Sequence, residues 1–124
     1  MAIRWLSAYR SAAWTDSGPT AWIDRVRPYV TDSMHARNTT LRDGGAGTDW
    51  ADFVRLRCAS TVDDIAAVVP PESSGTTTAA NVQVSGSVHT TCAAGPALAP
   101  TEPAAVTLVV ARTSHGWRVD QRLF

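Results

Sequence analysis

Few side chains in this sequence could do chemistry. They are two cysteines, Cys58 and Cys92, three histidines, His35, His89 and His115, and the adjacent carboxylates Asp63 and Asp64. The cysteines could form a disulfide, remain two buried thiols or supply half of a metal site. There is no C-x-x-C and the histidines are far apart in sequence, so neither a metal nor a cofactor is expected. Asp64 with Tyr9, Tyr29 or His35 could form a general acid–base site, if a fold buried the carboxylate in a pocket. Strand alternation puts Asp64 on the face of Val62, Ala66 and Val68, but the preferred reading is a β-bulge at Asp63–Asp64 that turns both carboxylates to water. His35 reads as a surface residue, His89 falls on the polar face of a strand and His115 in a turn. No nucleophile elbow or phosphate loop is present.

The elements that must position these residues change character along the chain. Residues 2–13 place Trp5, Leu6, Tyr9, Ala12 and Ala13 at helical spacing. Ser17-Gly18-Pro19 then announces a second helix with Trp22, Ile23 and Val26 on its inner stripe, broken near Pro28, and Thr31 or Asp32 starts a short turn through Arg37. Residues 38–48 are a loop by their glycines. Residues 49–57 fit a helix or an alternating strand equally. Four of the five tryptophans, Trp5, Trp14, Trp22 and Trp50, fall in this part. A ligand cage is conceivable, but a chain poor in Leu and Phe needs large aromatics to build a core, so core positions are expected for them.

Beyond this the period becomes two. Residues 62–70 form one strand and 81–92 another, with Val82, Val84, Gly86, Val88, Thr90 and Cys92 on a dry face and Gln83, Ser85, Ser87, His89 and Thr91 on a wet one. Residues 93–103 form a proline-rich connection, and 104–112 with 117–124 close a last hairpin whose first strand, apolar on both faces, belongs centrally in the sheet. A hairpin centred on Gly75 pairs residues whose numbers sum to 150: Val68 with Val82, Ala66 with Val84, Val62 with Val88. Projected further, that register brings Cys58 opposite Cys92. A disulfide is therefore favoured over free thiols, and with it an oxidising compartment.

These elements fit one domain spanning residues 1–124, with 1–57 mainly helical and 58–124 mainly strands. The class is α+β, with N-terminal helices packed on a curved antiparallel sheet of about four strands, a cystatin-like cone. Eleven arginines and no lysine balance eleven acidic residues. Such scattered, neutral charge weighs against nucleic-acid binding, and Arg25, Arg27 and Arg37 read as a solvated face. No stretch is long and apolar enough to span a bilayer.

The run Trp22-Ile23-Asp24-Arg25-Val26-Arg27-Pro28-Tyr29-Val30-Thr31, the segment from Asp49-Trp50 to Cys58, Val82 to Val88, Thr91-Cys92 and Gly116-Trp117-Arg118-Val119 resemble extracytoplasmic domains of actinobacterial membrane proteins with the nuclear-transport-factor-2-like superfold. Within it the chain is similar to TcpC-type conjugation proteins, relatives of a type IV secretion scaffold subunit. The resemblance implies a non-enzymatic scaffold domain outside the membrane, anchored by a helix preceding Ile3 and absent from this chain, whose partners are other protein subunits of a membrane complex. Little or no self-association of the isolated domain is expected. The expected interaction surface is the outer sheet face with the last strand: Gln83, Ser85, Ser87, His89, Trp117, Arg118, Asp120 and Arg122. The alternative within the superfold is a small-molecule-binding or isomerase/dehydratase-like protein using Asp64, Tyr9, Tyr29 and His35.

Overall fold

A computed structural model describes residues 1–41, 48–70, 76–97 and 99–123. Among these residues four short helices, α1 (Ala2–Arg10), α2 (Trp22–Val26), α3 (Asp32–Thr39) and α4 (Thr48–Arg55), accompany five strands, β1 (Ala12–Ala13), β2 (Cys58–Val68), β3 (Ala79–Cys92), β4 (Thr101–Thr113) and β5 (Gly116–Arg122). The strands form one antiparallel sheet in sequential order β1-β2-β3-β4-β5. The class is α+β, helices on a curved sheet, with one strand more than expected.

The core lies between the sheet and α1, α2 and α3. Trp5, Leu6, Val26 and Met34 from the helices meet Val84, Val88, Leu108, Val110 and Val119 from the sheet. Trp5 is fully buried, Trp22 and Trp50 are half-buried and Trp14 is 41% exposed. The tryptophans therefore do not share one role: Trp50 stacks on Phe53 in α4, ring centroids 5.5 Å apart, outside the main core.

Several boundaries depart from the periodicity. Helix α1 ends at Arg10 because Ser11 turns extended (φ −71°, ψ 132°), and Ala12 and Ala13 pair with Ser60 and Ala59 as a strand. Ser17 and Gly18 do not cap α2: regular helix waits until Trp22, and its N-cap position, Ala21, offers no side-chain hydrogen bond. The break at Pro28 is a single 3-10 turn, Arg27–Tyr29. Thr31 then caps α3, its Oγ1 accepting from the Met34 N–H at 3.1 Å, and the helix runs two residues past Arg37. Residues 49–55 are helical, and Arg57 at φ 56° turns the chain from α4 into β2.

Strand β2 starts at Cys58, four residues earlier than the alternation suggests, and β4 starts at Thr101 with Pro103 inside it. Proline is tolerated there because β5 pairs β4 only from Leu108 onward, which leaves the Pro103 stretch an edge. The register sums to 150 from Cys58↔Cys92 through Val62↔Val88 to Asp63↔Ser87, then shifts by one to Ala66↔Ser85, Ala67↔Val84 and Val68↔Gln83. The expected pairs Val68–Val82 and Ala66–Val84 are thus each displaced by one residue. The cause is a bulge in which Asp64 and Ile65 oppose Gly86 alone, with Asp64 at φ 54°. A side chain at Gly86 would sit 3.0 Å from Val62 Cγ1 and 3.1 Å from the Asp63 carbonyl oxygen, so a glycine fits under the bulge. The expected turn at Gly75, the glycines of 44–47 and the last residue of the terminal strand lie outside the described residues.

Candidate functional site

Cys58 and Cys92 face each other at the far end of the β2–β3 pair and form a disulfide. The Ala93 and Ala94 N–H groups donate to the Arg57 and Leu56 carbonyls, so the bond also fastens the α4–β2 junction to the end of β3.

Among the described residues no hydrogen bond or ring contact joins any two of the four residues of the enzyme-like alternative. Asp64 is exposed on the bulge at the sheet edge, Tyr29 is half-buried in the 3-10 turn, and His35 is half-buried on α3. Tyr9 lines two neighbouring cavities on the helical side. His89 lies 3.4 Å from Asp63, a partner that the polar-face reading lacked, and His115 is exposed in the β4–β5 turn. No cluster of metal-ligating residues occurs among the described residues.

Alternation along the strands separates the expected interaction surface into two groups. Gln83, Ser85, Ser87 and His89 lie on the sheet face away from the helices, whereas Arg118, paired with Ala111 at the β5 margin, lines a cavity with Arg27, Pro28, Thr31 and Asp32. Asp120 is the extra residue of a second bulge, between Val109↔Gln121 and Val110↔Val119, and accepts a hydrogen bond from Thr31 Oγ1 at 2.7 Å. Arg122 reaches the helical side, where its guanidinium sits 5.3 Å above the Tyr9 ring and donates to the Tyr9 hydroxyl. Trp117 is 37% exposed opposite Arg112 near the hairpin tip. The margin of β5 is partly occupied: Val30 bridges Val119 in parallel, the Thr31 N–H donates to the Val119 carbonyl at 2.9 Å, and Arg37 donates to the Asp120 carbonyl. Among the described residues β2 offers an open edge beyond Ser60, because β1 pairs only with Ala59 and Ser60.

On the outer face, Ala66, Ser85 and Ala105 are cross-strand neighbours, as are Val68, Gln83 and Thr107. Side chains this small leave a shallow depression of about 390 Å³ across β2, β3 and β4. Val68 and Val69 are exposed at its rim, at 56% and 59%.

The basic residues read from sequence as a solvated face are largely engaged. Arg25 donates from Nε to the Ala8 carbonyl (3.1 Å), from Nη1 to Asp16 (2.9 Å) and from Nη2 to the Ser11 carbonyl, clamping α2 to the end of α1. Helical periodicity contains no signal for that clamp, which depends on how two helices pack. Arg27 pairs with Asp32 at 2.6 Å and holds that carboxyl below its ordinary pKa, by hydrogen bond first and charge second.

The helical side carries an open cleft of about 350 Å³ lined by Trp5, Tyr9, Trp22, Asn38, Arg37 and Arg122 among others. Tyr9 stacks on Trp5 (4.8 Å) and meets Trp22 edge-on (4.9 Å). Sequence periodicity placed Trp5, Tyr9 and Trp22 on inner stripes but contained no sign that Asn38, expected in a loop, and Arg122 would join them.

No family model and no curated protein matches the chain. Among solved structures it is similar in fold to the NMR structure of TraH, a protein named for transfer, from the Gram-positive conjugative plasmid pIP501. The TM-score is 0.52 at 9% identity, covering 98% of this chain and 85% of that one. The intermembrane-space region of the chloroplast protein ARC6 also aligns, with TM-score 0.43 and 16% identity over 98% of this chain and 91% of that one.

Proposed function

We propose that this chain is a non-enzymatic interaction domain displayed on the extracytoplasmic side of the cell membrane. A helix N-terminal to it would anchor the full-length protein, and other protein subunits would dock on it in a conjugation or type IV secretion complex. The observation that carries this reading is the outer sheet face. Among the described residues no helix packs on it, and its rows of small, mostly uncharged side chains end at the open β2 edge with Val68 and Val69 exposed. A sheet edge and an adjoining shallow face are surfaces that another chain can extend or cover.

Three further observations support it. The Cys58–Cys92 bond suits an oxidising compartment. No hydrogen bond joins any two of Asp64, Tyr9, Tyr29 and His35 among the described residues, and Asp64 is exposed. The likeness in fold to a protein named for conjugative transfer directs the choice of pathway. Contacts on such a face would be weak in dilute solution and become sufficient when anchoring raises the effective concentration, so the isolated domain would self-associate weakly or not at all.

The test is Ser85→Arg in the full-length protein in its host, scored by plasmid transfer to recipient cells and by accessibility of the domain to a membrane-impermeant label. Lost transfer at unchanged protein level, with the domain labelled on intact cells, is the expected result. Undiminished transfer after deleting the whole gene would refute the conjugation reading, and a domain shielded from the label would refute the location.

A further inference from the structure

The cleft on the helical side combines features that the interaction reading does not use. Two of the three buried polar atoms that lack a hydrogen-bond partner among the described residues, Trp5 Nε1 and Asn38 Nδ2, belong to residues that line it. Trp5 is fully buried and Asn38 is 6% exposed. Both atoms are donors only, and a buried donor without an acceptor is costly, so the group that suits them is an acceptor.

Among the described residues that line the cleft none is acidic, and two, Arg37 and Arg122, are cationic. Arg37 is held at the rim by bonds to Ser33 Oγ (2.9 Å) and the Asp120 carbonyl, and Arg122 by the Tyr9 ring and hydroxyl. The nearby Asp120 carboxylate accepts from Thr31. Each guanidinium keeps donors beyond those used in these contacts. The remaining surface is mostly apolar, with the Trp5, Tyr9 and Trp22 rings set against one another. A volume of about 350 Å³ lies in the range of small-ligand pockets.

We propose that this cleft binds a carboxylate carried on a flat apolar body, with the Arg37 and Arg122 guanidinium groups facing the carboxylate, Trp5 and Asn38 beneath it and the Trp22 ring against the body. A free aromatic acid and a chain-terminal carboxylate after an aromatic residue share this chemistry. Bare phosphate does not, because it would leave the ring surfaces uncovered.

The experiment is a titration of the ¹⁵N-labelled chain, following the Trp5 indole and Asn38 side-chain amide signals. The probes are phenylacetate, phenylacetamide, N-acetyl-Ala-Phe with a free carboxylate, the same dipeptide amidated, and inorganic phosphate. Saturable shifts of both signals with the acids are expected, with affinity for the amides at least about tenfold weaker, the loss of one charge-assisted hydrogen bond or more. Tighter binding of the dipeptide acid would assign a chain end as the source, and tighter binding of phenylacetate a free acid. Arg37→Gln and Arg122→Gln, both at exposed positions, should each weaken the acids by about tenfold, whereas Arg55→Gln on α4 should not. Asn38→Leu should abolish the shift at Trp5. The proposal is overturned if no saturable shift appears at millimolar acid, if amides bind as well as acids, if phosphate competes equally, or if Arg55→Gln weakens binding as much as the cleft variants do.

Discussion

Reducing the Cys58–Cys92 bond offers a direct measure of how much a covalent clasp adds to this small fold. The two residues are 34 apart in sequence, and the loop they close contains nearly all of the β2–β3 hairpin. In the chain-entropy model a loop of that length removes about 13 cal/mol/K from the unfolded ensemble, about 3.8 kcal/mol at 25 °C. Unfolding entropy of about 2.1 cal/mol/K per residue, over 124 residues, amounts to about 0.26 kcal/mol/K. The unfolding midpoint should therefore fall by about 15 °C. Comparing oxidised with reduced wild-type protein keeps the buried Cys58 sulfur in place, so the packing change that a Cys58→Ala/Cys92→Ala variant would add is avoided. Thermal melts followed by circular dichroism, with and without a phosphine reductant, give the shift, and thiol titration of the denatured, unreduced protein verifies the starting state. A drop below about 4 °C, corresponding to ~1 kcal/mol, would refute the loop argument, since the reduced unfolded chain would then already hold the hairpin ends together. Two reactive thiols in protein made under oxidising conditions would show that the bond does not form.

Gly86→Val forces a side chain into the space between Val62 and the Asp63 carbonyl, and should destabilise by about 1–3 kcal/mol in denaturant titrations; an unchanged midpoint would mean that the bulge relaxes freely. Thr31→Ala removes both the α3 cap and the bond to Asp120, and should lower stability by about 1–2 kcal/mol, measurable by the same titration. For Asp32 the folded pKa lies below the ordinary 3.8, so the stability from its pairing with Arg27 is present above that value and is lost as pH falls through the depressed pKa. NMR titration should show the Asp32 carboxyl returning toward its ordinary value in Arg27→Gln. Asp64→Gly should hold or raise stability, because the left-handed conformation at Asp64 suits glycine, whereas Asp64→Val should lower it by about 1–2 kcal/mol.

The disulfide was legible because the register that sets Val62 opposite Val88, carried on to the cysteines, brings them together, and the one-residue error in that register lies on the other side of the bulge. The bulge was legible only as a choice between two readings of Asp64. Its effect on pairing was not, since a one-residue shift depends on how Gly86 and Ile65 pack across the strands. The cleft was the least visible feature. Its donors, Trp5 on α1 and Asn38 at the end of α3, and its cation Arg122 on β5 share no sequence spacing, and Asn38 lay in a segment whose composition pointed to a loop.

The local order of the chain, helices first and strands after, the dry and wet faces of residues 81–92, the break at Pro28 and the cysteine pairing follow from the sequence itself, because periodicity, proline geometry and hairpin register are properties of neighbouring residues. The short strand at Ala12–Ala13, the strand carried through Pro103, the covering of the β5 margin by Val30 and Thr31, and the clamp of Arg25 on α1 were decided only by the tertiary structure. Each of these satisfies or relieves backbone hydrogen bonds at a helix end or a sheet edge, and which groups need partners there is set by what packs beside them.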